Sequence, residues 1–149
     1  MNGYAVLKTL HVASAVLLLG NVTVTGFWAA FMYRQAQASG APFKPIAKAI
    51  ILSDWIFTLG GGAGLTITGV AMIVTGSLPV MLNAWLVRGI AALVLSTLAW
   101  LVFLVPDQGR LDRATDPHEI RRLFRRWTVI GWLSTALLFY ALWCMVTKQ

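Results

Sequence analysis

The chain has 149 residues, of which 58% are hydrophobic and only 11% charged, with a formal net charge of +7. A soluble domain carries roughly 25% charged residues, so this composition excludes an ordinary water-soluble fold and indicates a polytopic membrane protein. The one cysteine, Cys144, excludes an intramolecular disulfide and any zinc site built from several thiolates.

Four apolar stretches follow in chain order: Tyr4 to Tyr33, Ile46 to Thr75, Asn83 to Val105 and Phe124 to Thr147. Each meets the length of about 20 residues that a helix needs to cross the hydrocarbon. The first lacks a basic leader and is too long for a signal-peptide core, so it reads as a retained span. The joints agree: Ser39-Gly40-Ala41-Pro42 and Pro45 interrupt helical order before the second span, and Gly76-Ser77-Leu78-Pro79 supplies a tight turn after it. Pro106 is expected to end the third span, because it cannot donate the next backbone bond. Asp116-Pro117-His118-Glu119 reads as an N-cap, a first-turn proline and acidic first-turn residues leading into the fourth span. The expected fold is all-α: one integral membrane domain, residues 1–149, a four-helix transmembrane bundle.

Charge sets the orientation. Arg34, Lys44 and Lys48 lie in or beside the first connection, and Arg110, Arg113, Arg121, Arg122, Arg125 and Arg126 lie in or beside the third, nine of the twelve basic residues. The positive-inside rule makes that side cytoplasmic and places both termini outside. The Arg121 to Arg126 cluster would attract anionic headgroups. Its position at a helix entry argues against nucleic-acid binding.

Polar residues inside the spans are the functional leads, because an ionisable group at membrane depth costs about 2.5 kcal/mol or more. Lys8 and His11, three apart on one helix face, are expected in the outer half. Counting helical rise from each span end puts Arg88, Met72 and Tyr140 at similar depth. Asp54 belongs to the opposite half, with Thr25, Trp28, Thr97, Trp100 and Arg126 as candidate partners. It reads either as a proton-handling acid or as a hydrogen bond that locks helix packing. Gly60-Gly61-Gly62-Ala63-Gly64 lacks the Lys-Ser/Thr of a P-loop and reads as a close-approach surface, expected around Gly20, Asn21 and Gly26. Of the seven tryptophans, Trp28, Trp85, Trp127 and Trp143 read as interfacial anchors, leaving Trp55, Trp100 and Trp132 for the interior.

A neutral imidazole in an apolar bundle can ligate haem iron, and nearby cations can pair with the propionates. On that reading His11 is the metal ligand, Lys8 and Arg88 face the propionates, and Met72 or Tyr140 fills or leaves open the second axial position. The other histidine, His118, lies in a connection, so a second histidine ligand would come from a homodimer. The bland alternative has Lys8 snorkelling to the headgroups and His11 hydrogen-bonded to a carbonyl, a threonine or a tyrosine. Copper held by His11 and a methionine lacks any supporting cluster.

Leu7-Lys8-Thr9-Leu10-His11-Val12, with Leu19-Gly20-Asn21 and Phe27-Trp28, resembles the first helix of a bacterial family of uncharacterised integral membrane proteins (domain of unknown function 2269). The resemblance extends through Ser53-Asp54-Trp55 and Thr68-Gly69 to Pro106-Asp107-Gln108. The opening is also similar to that of HemJ-type protoporphyrinogen oxidases, in which a first-helix histidine is associated with haem b; Lys8 and His11 are the positions that correspond. The sequence thus leads to a multi-pass protein of the bacterial inner membrane that binds haem b through His11 in a redox or electron-transfer role. The competing expectation is a scaffold, accessory subunit or small transporter component without a cofactor. The partners expected are the lipid bilayer and a homo-oligomer or larger membrane complex.

Overall fold

A computed structural model describes residues 3–40 and 44–148. Four helices in it are long and apolar enough to cross a membrane. Helix α1 is Gly3–Ser39. Helix α2 joins Lys44–Ser53, a π-helical turn at Asp54–Thr58 and Leu59–Thr75. Helix α3 likewise joins Ala84–Ala99, a π-helical turn at Trp100–Leu104 and Val105–Arg113. Helix α4 is Pro117–Thr147.

The helices run beyond the expected spans for identifiable reasons. At about 1.5 Å per residue α1 is about 55 Å long, well above the roughly 30 Å of hydrocarbon, so its polar end around Arg34 to Ser39 projects past the membrane. Gly40 ends it in the left-handed region at φ 67°, where glycine has no Cβ penalty. Ala41 and Pro42, expected to break the chain here, lie outside the described residues. Pro45 does not interrupt α2 but sits in its first turn, where a missing N–H costs nothing. At α4 the expected cap is present: the Asp116 carboxylate accepts from His118 N at 3.1 Å, and the helix starts at Pro117 rather than Phe124.

Pro106 does not end α3. The N–H of Val105 bonds the carbonyl of Trp100, five residues back, so the turn just before the proline is wider than an α-turn. A proline in an α-helix interior clashes with the carbonyl four residues earlier and removes one bond; a π-turn relieves both locally. The helix therefore carries on to Arg113.

Helix α1 packs along α2 and α3 along α4, and the two pairs join where α1 meets α4. At the arginine-rich end, Lys44–Ser53 of α2 also packs on Val105–Arg113 of α3, whereas Leu59–Thr75 and Ala84–Ala99 do not pack on each other toward the end carrying the termini. The bundle is closed at one end and splayed at the other. Ala29, Leu104, Phe124 and Trp127 form a buried cluster near the closed end, with Tyr33 stacked on Phe124 at 4.1 Å between ring centroids. Trp127 is thus a core residue rather than an interfacial anchor. Trp55 and Trp132, expected inside, are more than 40% exposed.

The α1–α2 seam uses two glycines of the expected stretch, Gly61 and Gly64, but seats them on Leu18 and Ser14 rather than on Gly20 and Gly26. A Cβ on Gly61 would stand 2.9 Å from Leu18 N, and one on Gly64 would stand 2.6 Å from Ser14 Oγ. Gly20 has open space, and Gly26 seats the Trp132 ring of α4.

Candidate functional site

The wide turn in α3 positions the first polar element. It carries Asp107 and Gln108 to the buried side of the helix, at 0% and 4% exposure. Arg126 of α4 grips the Asp107 carboxylate with its guanidinium fork: Nε donates to Oδ2 at 2.7 Å, and the second arm donates to Oδ1. Arg110, one turn on, lies 3.7 Å from the same carboxylate. Such a bidentate charged pair fixes orientation as well as attraction. Arg126 was an expected partner of Asp54; it pairs with Asp107 instead.

Asp54 is 6% exposed and is held by donors from three helices. Gln108 Nε2 of α3 donates to Oδ2 at 2.7 Å, Asn21 Nδ2 of α1 donates to Oδ1 at 3.2 Å, and Thr58 of its own helix donates to Oδ1 at 3.3 Å. Asn21 also donates to Thr58 Oγ1 at 3.0 Å and accepts from Ser53 at 2.7 Å. The amide therefore uses both ends to bind α2. Of the expected partners, Thr25 stands beside the carboxylate, its hydroxyl also donating to Asn21 O at 2.6 Å. Trp28 faces outward, stacked edge-on with Phe31.

Above this network the splayed helices enclose a cavity of about 380 Å³, to which all four contribute. Asp54, Thr58, Trp100, Leu104 and Trp127 lie at its closed end. Its sides are Leu18, Val22 and Gly26 of α1, Gly62, Ala63 and Ile67 of α2, Leu93, Ser96 and Thr97 of α3, and Gly131, Thr135 and Leu138 of α4. Ala63, Ile67 and Thr97 are also accessible to solvent, Ile67 to 69%. The cavity thus reaches the lipid-facing surface between α2 and α3, where those helices separate. Its volume falls in the range of small-molecule sites, which are mostly apolar with a few placed polar groups.

The residues of the haem expectation do not gather in this cavity. His11 sits in the α1–α2 seam, where its Nδ1 lies 3.1 Å from Leu65 O and 3.1 Å from Thr68 Oγ1. The Thr68 hydroxyl donates to Gly64 O at 2.6 Å, so Nδ1 carries the proton and donates to both oxygens, leaving Nε2 as the lone-pair nitrogen of the neutral ring. Gly69 gives the ring room: a Cβ there would stand 3.1 Å from His11 Cε1. Met72 is half-buried one helical turn beyond Thr68, and Lys8 is exposed. Arg88 and Tyr140 belong to the other helix pair, with Tyr140 beside Cys144 and within the field of Arg88. Among the described residues, no three His, Cys, Asp or Glu side chains gather as a metal site.

Asn21, Thr58 and Gln108 were not among the expected partners of Asp54. An asparagine in mid-span, four residues before a threonine, is a signal for the first. Gln108 was hidden because a helix stopped at Pro106 would leave it in a loop.

A model of a family described as "Predicted integral membrane protein (DUF2269)" matches residues 5–149. No curated protein and no solved structure matches the chain.

Proposed function

The chain belongs to the DUF2269 family of predicted integral membrane proteins, and on that premise we propose that it is a small binding or transport component for a lipid-soluble molecule, taken into the intramembrane cavity from the bilayer between α2 and α3. The observation that carries this reading is the cavity itself, closed by polar residues at one end and reaching the lipid-facing surface at its side. Helices pack in a membrane by close van der Waals contact, so a gap shared by four of them has lost contacts that a ligand can restore. In this reading the arginine-rich end is cytoplasmic, both termini are outside, and the membrane is the bacterial inner membrane.

Gly62 offers a clean test. It lines the cavity, and a Cβ built there meets nothing within 4 Å, so Gly62→Leu fills the cavity without striking backbone. Protein purified in mild detergent from lipid-replete cells is expected to retain a small molecule in native mass spectrometry, and Gly62→Leu to lose it while still unfolding in one cooperative thermal transition. Identical spectra for the two proteins would overturn the reading.

One observation favours haem as a second reading. A ligating histidine characteristically donates its other ring N–H to a carbonyl or similar acceptor, and His11 Nδ1 does so to Leu65 O. His11 Nε2 would hold the iron, with Lys8 supplying a cation three residues away; the haem would supply electron transfer. This site is separate from the cavity. A Soret band lost in His11→Ala supports it, and its absence from the wild type refutes it.

A further inference from the structure

Among the described residues that line the cavity, Asp54 is the one ionisable side chain, and no basic residue stands with it. Its donors are the amides of Gln108 and Asn21 and the hydroxyl of Thr58, with Thr25 beside it; all of these are neutral. The arginines that pair with a carboxylate among the described residues, Arg110 and Arg126, both take Asp107. Asp54 is therefore hydrogen-bonded without a countercharge, whereas buried charges are as a rule paired. Gln108 is the one donor to its Oδ2, and a carboxylate oxygen has room for two partners.

The rest of the wall suits a large, weakly hydrated ligand. Trp100, Trp127 and Trp132 line the cavity, and indole is the aromatic side chain that attracts a cation to its face most strongly. The N–H groups of Trp100 and Trp127 are buried, so these indoles turn ring carbon rather than their polar edges to the cavity. Ile67, Leu93 and Leu138 add aliphatic surface. A metal ion would need several oxygen ligands, and no three His, Cys, Asp or Glu side chains gather among the described residues. An anion would meet an acid and no basic group.

Resting on the binding role proposed above, we infer that the cavity's ligand is a hydrophobic organic cation. Its positive centre pairs with Asp54, and its apolar groups lie against the indoles and extend between α2 and α3 into lipid.

The test is equilibrium binding of radiolabelled tetraphenylphosphonium, a permanent cation, with tetraphenylborate as the anion of the same shape. Both are added to full-length protein in a nonionic detergent at mildly alkaline pH. Wild type is expected to bind the phosphonium at least about 10-fold more tightly than the borate. Asp54→Asn keeps the size of the side chain and removes its charge, so it should weaken phosphonium binding by about 10-fold or more. Asp54→Glu keeps the charge and should bind the phosphonium more tightly than Asp54→Asn does. Should Asp54→Asn fail to fold, the two probes on wild type decide alone. Equal affinity for the two ions, binding of neither, or an unchanged phosphonium affinity in Asp54→Asn would overturn the inference. A native small molecule lost in Gly62→Leu would then still uphold the binding role. Binding of neither ion, with identical native spectra for wild type and Gly62→Leu, would remove both.

Discussion

Asp54 is tied to α1 through Asn21, to α3 through Gln108, and within α2 to Thr58. It is a joint between helices as well as the polar end of the cavity, and two substitutions separate its hydrogen-bonding from its acidity. In Asp54→Asn the amide oxygen takes the place of Oδ1 and still receives Asn21 and Thr58. The new NH2 then faces Gln108, whose Oε1 has no partner; a half-turn of the Gln108 amide pairs the two. Asp54→Asn should therefore change stability by less than about 1 kcal/mol, whereas Asp54→Ala strands the donors of Asn21 and Gln108 and should cost about 1–3 kcal/mol. Thermal melts in one detergent read both. A large loss for Asp54→Asn would show that the network depends on the carboxylate itself. The acid was legible in the sequence because a carboxylate stands out in a span. Its partners were less so, since asparagine, threonine and glutamine recur in helices and only the rotation of each helix decides which of them meet.

Rotation is set at the level of the element, and here by the two π-helical turns. Each inserts extra width into an otherwise α-helical ladder, which changes the face on which later residues emerge. The turn before Pro106 presents Asp107 and Gln108 to the interior; apolar periodicity gave no sign of it, and the proline that marks it was expected to stop the helix. The glycines of α2 show the complementary case, where composition was informative and register was not. Gly60 and Gly61 are adjacent in sequence, yet a Cβ on Gly60 meets nothing within 4 Å while one on Gly61 meets Leu18 backbone at 2.9 Å. Gly60→Ala should stabilise the helix by about 0.5–1 kcal/mol through propensity alone. Gly61→Ala should lower stability by about 1–3 kcal/mol, because α1 must move away. If the two variants melt alike, α1 and α2 are not in contact at Leu18.

For the whole molecule, the ends differ in both packing and charge. The closed end holds the aromatic cluster, the Asp107–Arg126 pair and the exposed Arg121, Arg122 and Arg125; the splayed end holds both termini. Four spans were legible because their length and hydropathy are unambiguous, and the cavity was not, because a splay between helix pairs leaves no mark in a linear pattern. The orientation proposed above rests on charge: basic residues near span ends are retained on the cytoplasmic side during insertion, and that leaflet carries anionic lipid that attracts them. Lys148 and Arg122 lie at opposite ends and are both exposed, while the native Cys144 is 2% exposed. A membrane-impermeant maleimide should therefore label Lys148→Cys on intact spheroplasts and Arg122→Cys only after permeabilisation, with the unmodified chain as the unlabelled control. The reverse pattern would put the splayed end in the cytoplasm. The closed end would then face outward, and its arginines would meet the wrong leaflet.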